Sequence, residues 1–206
     1  MGNCCQNKSC ELEAMRKKEQ TKILYFVLAI NMVMFFVEIY YGISSKSSSL
    51  LSDSLDMLGD SLVYGFSIFV INKDIIWRAK ASLLKAFIML FFGLSVLAKI
   101  VYQVINPEVP VYQTMGSIGL LALIANLACF FVLYKYRNGE VNMKSTWLCS
   151  RNDIIANVGI LLAAYLVSLT QKIYPDILIG LVITALFLSS SFSVLKMSFA
   201  EMKKVS

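Results

Sequence analysis

No histidine occurs anywhere in the 206 residues. Metal or proton chemistry in this chain must therefore use carboxylates, thiols or amides. Charge is scarce as well, at 16% of residues, where an ordinary soluble domain carries about 25%. The five cysteines, Cys4, Cys5, Cys10, Cys129 and Cys149, show no spacing that reads as a secreted disulfide framework. No linker, low-complexity segment or soluble domain interrupts the chain. What is abundant is apolar: 58% of residues, above the roughly 45–50% of a globular domain. This balance excludes a soluble enzyme and points to a membrane.

A net charge of +6 raises the question of nucleic acid. The basic residues do not gather into a patch, however; they punctuate the apolar runs, so no nucleic-acid partner is expected. Residues 1–22 form a polar segment containing Cys4, Cys5 and Cys10, too long and too acidic for an ordinary signal peptide. Six apolar spans follow: Ile23–Ile43, Leu50–Ile71, Ala81–Ile105, Thr114–Tyr134, Ser145–Leu169 and Tyr174–Leu195. At about 1.5 Å per residue each can cross a hydrocarbon core of about 30 Å. A short tail, 196–206, closes the chain. With the N-terminus inside, fourteen Lys and Arg fall on the inner side and only Lys46 and Lys172 outside. The positive-inside rule then places both termini in the cytoplasm. The expected fold is an all-α, multi-pass membrane protein with a six-helix transmembrane domain over 23–195.

Three aspartates break the second span. Asp56 and Asp60 are four apart and share a helix face, with Asp53 close to it. A carboxylate in hydrocarbon costs roughly 2.5–3.5 kcal/mol on insertion scales. Two adjacent ones cost more, unless a cation sits between them. The bland reading is a structural polar cluster, but intramembrane carboxylates default to function. The fifth span repeats the spacing with Cys149 and Asp153, and Asn157 continues that face. The second and fifth spans run antiparallel, so their polar faces can meet. Asp56, Asp60, Cys149 and Asp153 then supply the four ligands of a tetrahedral site. A thiolate favours zinc, cadmium or cobalt over magnesium or calcium. One depth check is awkward: with both spans centred, Cys149 lies ~12 Å inward of Asp60. Either the fifth helix starts before Ser145, or the spans are offset or tilted.

Other polar residues divide less cleanly. Glu38 shares a face with Asn31 and reads equally as a proton path or as a side chain reaching the headgroups. Asn31, Asp53 and Asn157 read as supports for the site or as steps on a proton path, and Asp53 equally as an entry residue or as a helix-start residue helped by Ser52. Asn126 reads as an interhelical hydrogen bond, and Cys129 as core. Cys4, Cys5 and Cys10 form a candidate metal-capture segment, against the plainer reading of a tail with free thiols.

The pattern Ser-Leu-Leu-Ser-Asp53-x-x-Asp56-x-x-x-Asp60, with Cys149-x-x-x-Asp153 and with Glu38 and Gly42 closing the first span, resembles the cation diffusion facilitator family. The resemblance covers nearly the whole chain. It implies a homodimeric exporter of zinc and related divalent ions that works by proton exchange, with Asp56/Asp60 and Cys149/Asp153 as the paired ligands. Members usually carry His or Asp where Cys149 stands, and most continue into a cytoplasmic ferredoxin-like domain. The chain reads as a short form lacking that domain. The expectation is thus an integral membrane protein of the plasma (inner) membrane if bacterial, and not an enzyme. It has no cofactor; the divalent metal is cargo, zinc first, with cadmium, cobalt or ferrous iron as alternatives, moved by alternating access. The rival readings are a non-transporting metal sensor or assembly partner and, behind it, a small drug exporter built on Glu38.

Overall fold

The computed structural model describes residues 3–70, 75–135 and 141–205, with side chains for most of 21–68 and throughout 86–135 and 151–189. All regular structure among these residues is helical. The elements are α1 (Asn3–Ser44), α2 (Ser48–Val70), α3 (Ile75–Ile105), α4 (Tyr112–Tyr134), α5 (Val141–Thr170) and α6 (Tyr174–Val205). Four stretches are long and apolar enough to cross a membrane: Thr21–Ser44, Ala86–Ile105, Tyr112–Tyr134 and Arg151–Thr170. Tyr174–Ser189 of α6 is a shorter apolar helix. The helix α2 is not among them because it carries Asp53, Asp56 and Asp60.

Packing explains how α2 tolerates those acids. It lies against α1, α3, α5 and α6. From Ser47 to Ser61 every residue is buried except Asp56, which is half-buried. Leu51 and Leu55 pack with Met89, Val96, Ile100 and Phe187, while Met57 and Leu58 pack with Met34, Phe35 and Ala122. Gly59 lets α6 approach: a Cβ there would lie 2.9 Å from the Phe187 ring. Phe36, Phe91, Ile105, Phe131, Leu169 and Leu186 point outward, each more than 60% exposed. The protein thus turns its apolar surface to lipid and its acids inward, the only placement a bilayer tolerates cheaply.

Helix ends depart from the apolar boundaries. The first helix continues back through the polar segment to Asn3, the third starts at Ile75 rather than Ala81, the fifth at Val141 rather than Ser145, and the sixth runs on to Val205. Hydrophobicity marks where lipid ends; a helix ends only where its backbone bonds do. Between α1 and α2 those bonds are explicit. The N–H groups of Ser45, Lys46 and Ser47 donate to the carbonyls of Tyr41, Ile43 and Gly42 at 2.8, 3.2 and 3.0 Å. Lys46 takes the left-handed conformation, φ 57°, that such a C-terminal turn requires.

Candidate metal centre

Asp56 projects from α2 and meets the side chain of Asp153 on α5 within hydrogen-bonding range. Asp60, one turn further along α2, is a close charged neighbour of Asp153. Asp60 is 8% exposed and Asp153 5%. The two spans therefore place Asp153 beside Asp56, with Asp60 within reach of its charge. Tyr64, a further turn on and 2% exposed, donates its hydroxyl to Asp60 Oδ2 at 2.7 Å. This orients the carboxylate. Asn157 of α5 donates Nδ2 to the carbonyl of Asp153 at 2.7 Å, tying the same helix turn together. The side chain of Cys149 lies outside the described residues, as do Cys4, Cys5 and Cys10. Among the described residues, no group of three acid or thiol side chains closes tightly enough to hold a metal.

The fifth helix does start before Ser145, at Val141. Asp56 lies eight residues in from Ser48, and Asp153 seventeen back from Thr170. Their side chains meet because α2 and α5 are offset or tilted relative to one another rather than level.

The second group of polar residues is buried but unsatisfied. Glu38 does not reach for the headgroups: it is fully buried on α1, beside Asp53 and Asp56. Neither carboxylate oxygen of Glu38 or of Asp53 has a hydrogen-bond partner. Asn157 is the neighbouring amide of Asp53, yet its Oδ1 is also unbonded, as are Asn31 Oδ1, Ser61 Oγ and both amide atoms of Asn126. The interhelical bond expected of Asn126 is therefore not made. Cys129 is core, buried with Val27, Tyr64 and Leu133.

A third feature is absent from the sequence reading. Asp176, fully buried in the first turn of α6, caps the start of α2. Its Oδ1 accepts from Ser47 Oγ at 2.7 Å, Ser49 Oγ at 2.6 Å and Ser49 N at 3.1 Å, and its Oδ2 from Ser48 N at 2.6 Å. Helix-start N–H groups want such an acceptor, but here it comes from another helix. Ser48 Oγ donates to Gln103, whose Nε2 donates to the carbonyl of Lys46 at 2.6 Å. Ser52 Oγ reaches the carbonyls of Ser48 and Gly180 and the hydroxyl of Thr184 at 2.8, 2.9 and 2.8 Å. Outside this knot, Lys46 Nζ pairs with Glu108 Oε2 at 2.6 Å on the surface, and the ammonium holds the Glu108 carboxyl below its ordinary range.

Helices that bury their acids around a crossing of two antiparallel members, and turn apolar faces outward, define a multi-pass integral membrane protein. A family model for the cation efflux transmembrane domain matches residues 24–75 and 78–202, and the chain belongs to that family. The chain is 25% identical over 195 residues to zinc transporter ZitB of Yersinia pestis, covering 88% of this chain and 62% of that protein. It is 25% identical over 191 residues to metal cation efflux system protein CzcD of Cupriavidus metallidurans, covering 84% and 60%. It is 26% identical over 205 residues to probable zinc transporter MSC2 of Saccharomyces cerevisiae, covering 91% and 28%. The chain thus spans about three fifths or less of the length of these curated relatives.

Proposed function

We propose that the protein exports a divalent metal ion, zinc first and cadmium, cobalt or ferrous iron as alternatives, in exchange for protons. The observation that carries this reading is the meeting of Asp56 and Asp153 inside the bundle, with Asp60 beside them. Carboxylates in contact, away from water, need positive charge between them. Asp56, Asp60 and Asp153, with the Cys149 thiolate one turn before Asp153, make up the ligand set. The described carboxylates do not close a shell alone; the thiolate and a small approach of α5 towards α2 complete it. Four ionised ligands cannot lie together in the bilayer without positive charge, so protons occupy them when the metal does not. Binding the metal displaces them, and their return displaces the metal. One site thereby couples both flows.

The packing suggests how access alternates. The Asp176 cap ties α2 to α6, and α6 packs along α3, while α4 and α5 form a close pair of their own. The two halves of the ligand set thus lie on different helix pairs, with α5 also touching α6; rocking of one pair against the other opens the site to one side and then the other. The positive-inside count orients the turn at 45–47 outward and both termini inward. The working assembly is a homodimer in the lipid bilayer.

The test is metal uptake into proteoliposomes under an imposed pH gradient. Flux that responds to the gradient and disappears in Asp60→Ala supports the reading. Flux indifferent to the gradient removes the exchange, and flux surviving Asp60→Ala removes the site. Metal binding with no flux at all favours a membrane metal sensor or assembly partner.

A further inference from the structure

Glu38 on α1 and Asp53 on α2 are fully buried and near enough for their charges to interact, and neither bonds the other. No oxygen of either carboxylate makes a full hydrogen bond; the nearest donor is the Asn157 amide beside Asp53, whose own Oδ1 is unbonded. Burying an unpaired carboxylate costs several kcal/mol even after relaxation. Two neutral acids at this place would satisfy one another through an O–H bond, and no such bond is made. Asp176, equally buried in the same chain, gathers four donors. A fold that satisfies one buried acid so fully and leaves two others bare is holding those two for a ligand. We propose that Glu38, Asp53 and Asn157 Oδ1 form a second cation station, one turn from Asp56 towards the α1–α2 turn, that takes a divalent metal ion.

Its chemistry differs from that of the first site. Two carboxylates and an amide carbonyl give oxygen ligands only, with room for water to complete the shell. Lacking sulfur, the station binds zinc or cadmium more weakly than the thiolate-bearing set. Weak binding next to strong binding is what a transit step needs: the ion must be able to leave. The station deepens the metal reading of the bundle, but its own ligands stand apart from Asp60, Cys149 and Asp153.

The experiment is cadmium binding to the full chain in detergent micelles, by equilibrium dialysis and X-ray absorption, with Cys4, Cys5 and Cys10 replaced by Ser. This parent should hold one ion with a sulfur neighbour and a second with oxygen neighbours only. Adding Asp60→Asn and Cys149→Ser should remove the first and leave the oxygen-bound ion. Glu38→Gln on top of these should remove it too, and Glu38→Asp should retain it. Glu38→Gln alone should leave the sulfur-bound ion with its affinity unchanged within about threefold, far below the 10–100-fold loss expected for a ligand's supporting partner. No oxygen-bound cadmium in the parent, or a Glu38→Gln chain that keeps it, overturns the proposal. Should the combined variant fail to fold, the single Glu38→Gln chain decides, by losing one ion or none. If the parent shows oxygen-bound cadmium that depends on Glu38 but none bound to sulfur, the station stands and the four-ligand site falls.

Discussion

Two buried polar regions lie on the same helix and are built in opposite ways. At the start of α2, Ser47, Ser48, Ser49 and Ser52 are all bonded to Asp176, Gln103, Thr184 or main chain. A turn or two later, Asp53 leaves its oxygens unbonded, as do its neighbours Glu38 and Asn157 on other helices. The first region joins α2 to α6 and Gln103 of α3 and fixes its height. The second lies along the crossing with α5 and bonds to little. Satisfied polar groups hold a fold together; unsatisfied ones are kept for something that comes and goes. The same helix can carry both because its first turns are anchored and its middle is not.

The comparison is broken most severely at the crossing. Asp153→Ala should reduce metal flux more than about 100-fold, since even the supporting partners of metal ligands are worth 10–100-fold. Yet removing charge from the unsatisfied region should not weaken the fold: Asp53→Asn should leave the metal-free melting temperature unchanged or raise it. A clear fall would mean Asp53 has a partner after all. The anchored region should behave the other way. Asp176→Ala leaves the Ser48 and Ser49 N–H groups buried without acceptors, at a cost of about 3 kcal/mol, while metal affinity of the folded protein stays put. Denaturant unfolding and metal titration on the same sample separate the two.

Smaller effects sharpen the contrast. Gly180→Ala would place a Cβ 2.9 Å from the carbonyl carbon of Ser48 and 3.0 Å from its Cβ, so the anchor must shift, costing about 1–3 kcal/mol. Tyr64→Phe removes the bond to Asp60 and should cost about 1 kcal/mol; metal affinity should fall about tenfold, as for other residues that orient a ligand. The surface pair is smallest. Lys46 depresses the Glu108 carboxyl, so any stabilisation is present above the ordinary glutamate range and is lost as pH falls through the depressed value. Both groups are exposed, and solvent screens them. Glu108→Gln should leave thermal unfolding at neutral pH unchanged.

Much of the crossing was legible because its signals are local. Asp56 and Asp60 declare a shared face by their spacing of four, Asp153 stands on an antiparallel span, and apolar runs on either side declare the spans. The anchor was illegible because Asp176 and Ser47–Ser49 lie more than 120 residues apart; near the start of its own helix Asp176 reads only as a first-turn acid. The direction of Glu38 was undecidable for another reason. Near a helix end, periodicity leaves lipid headgroup and bundle interior both within reach, and only packing of α1 on α2 chooses. Tyr64 did carry a signal, four residues after Asp60, but an aromatic in an apolar helix blends into the core. Helix ends ran past the apolar boundaries because a polar sequence can continue a helix that lipid no longer requires.

The central claim is that side chains from α2 and α5 hold one divalent ion between them. Crystals of the full chain grown with cadmium, with anomalous scattering measured, test it most directly. The account predicts a strong peak bounded by Asp56, Asp60, Asp153 and the Cys149 sulfur. Cadmium bound elsewhere, with that space holding only water, would contradict it.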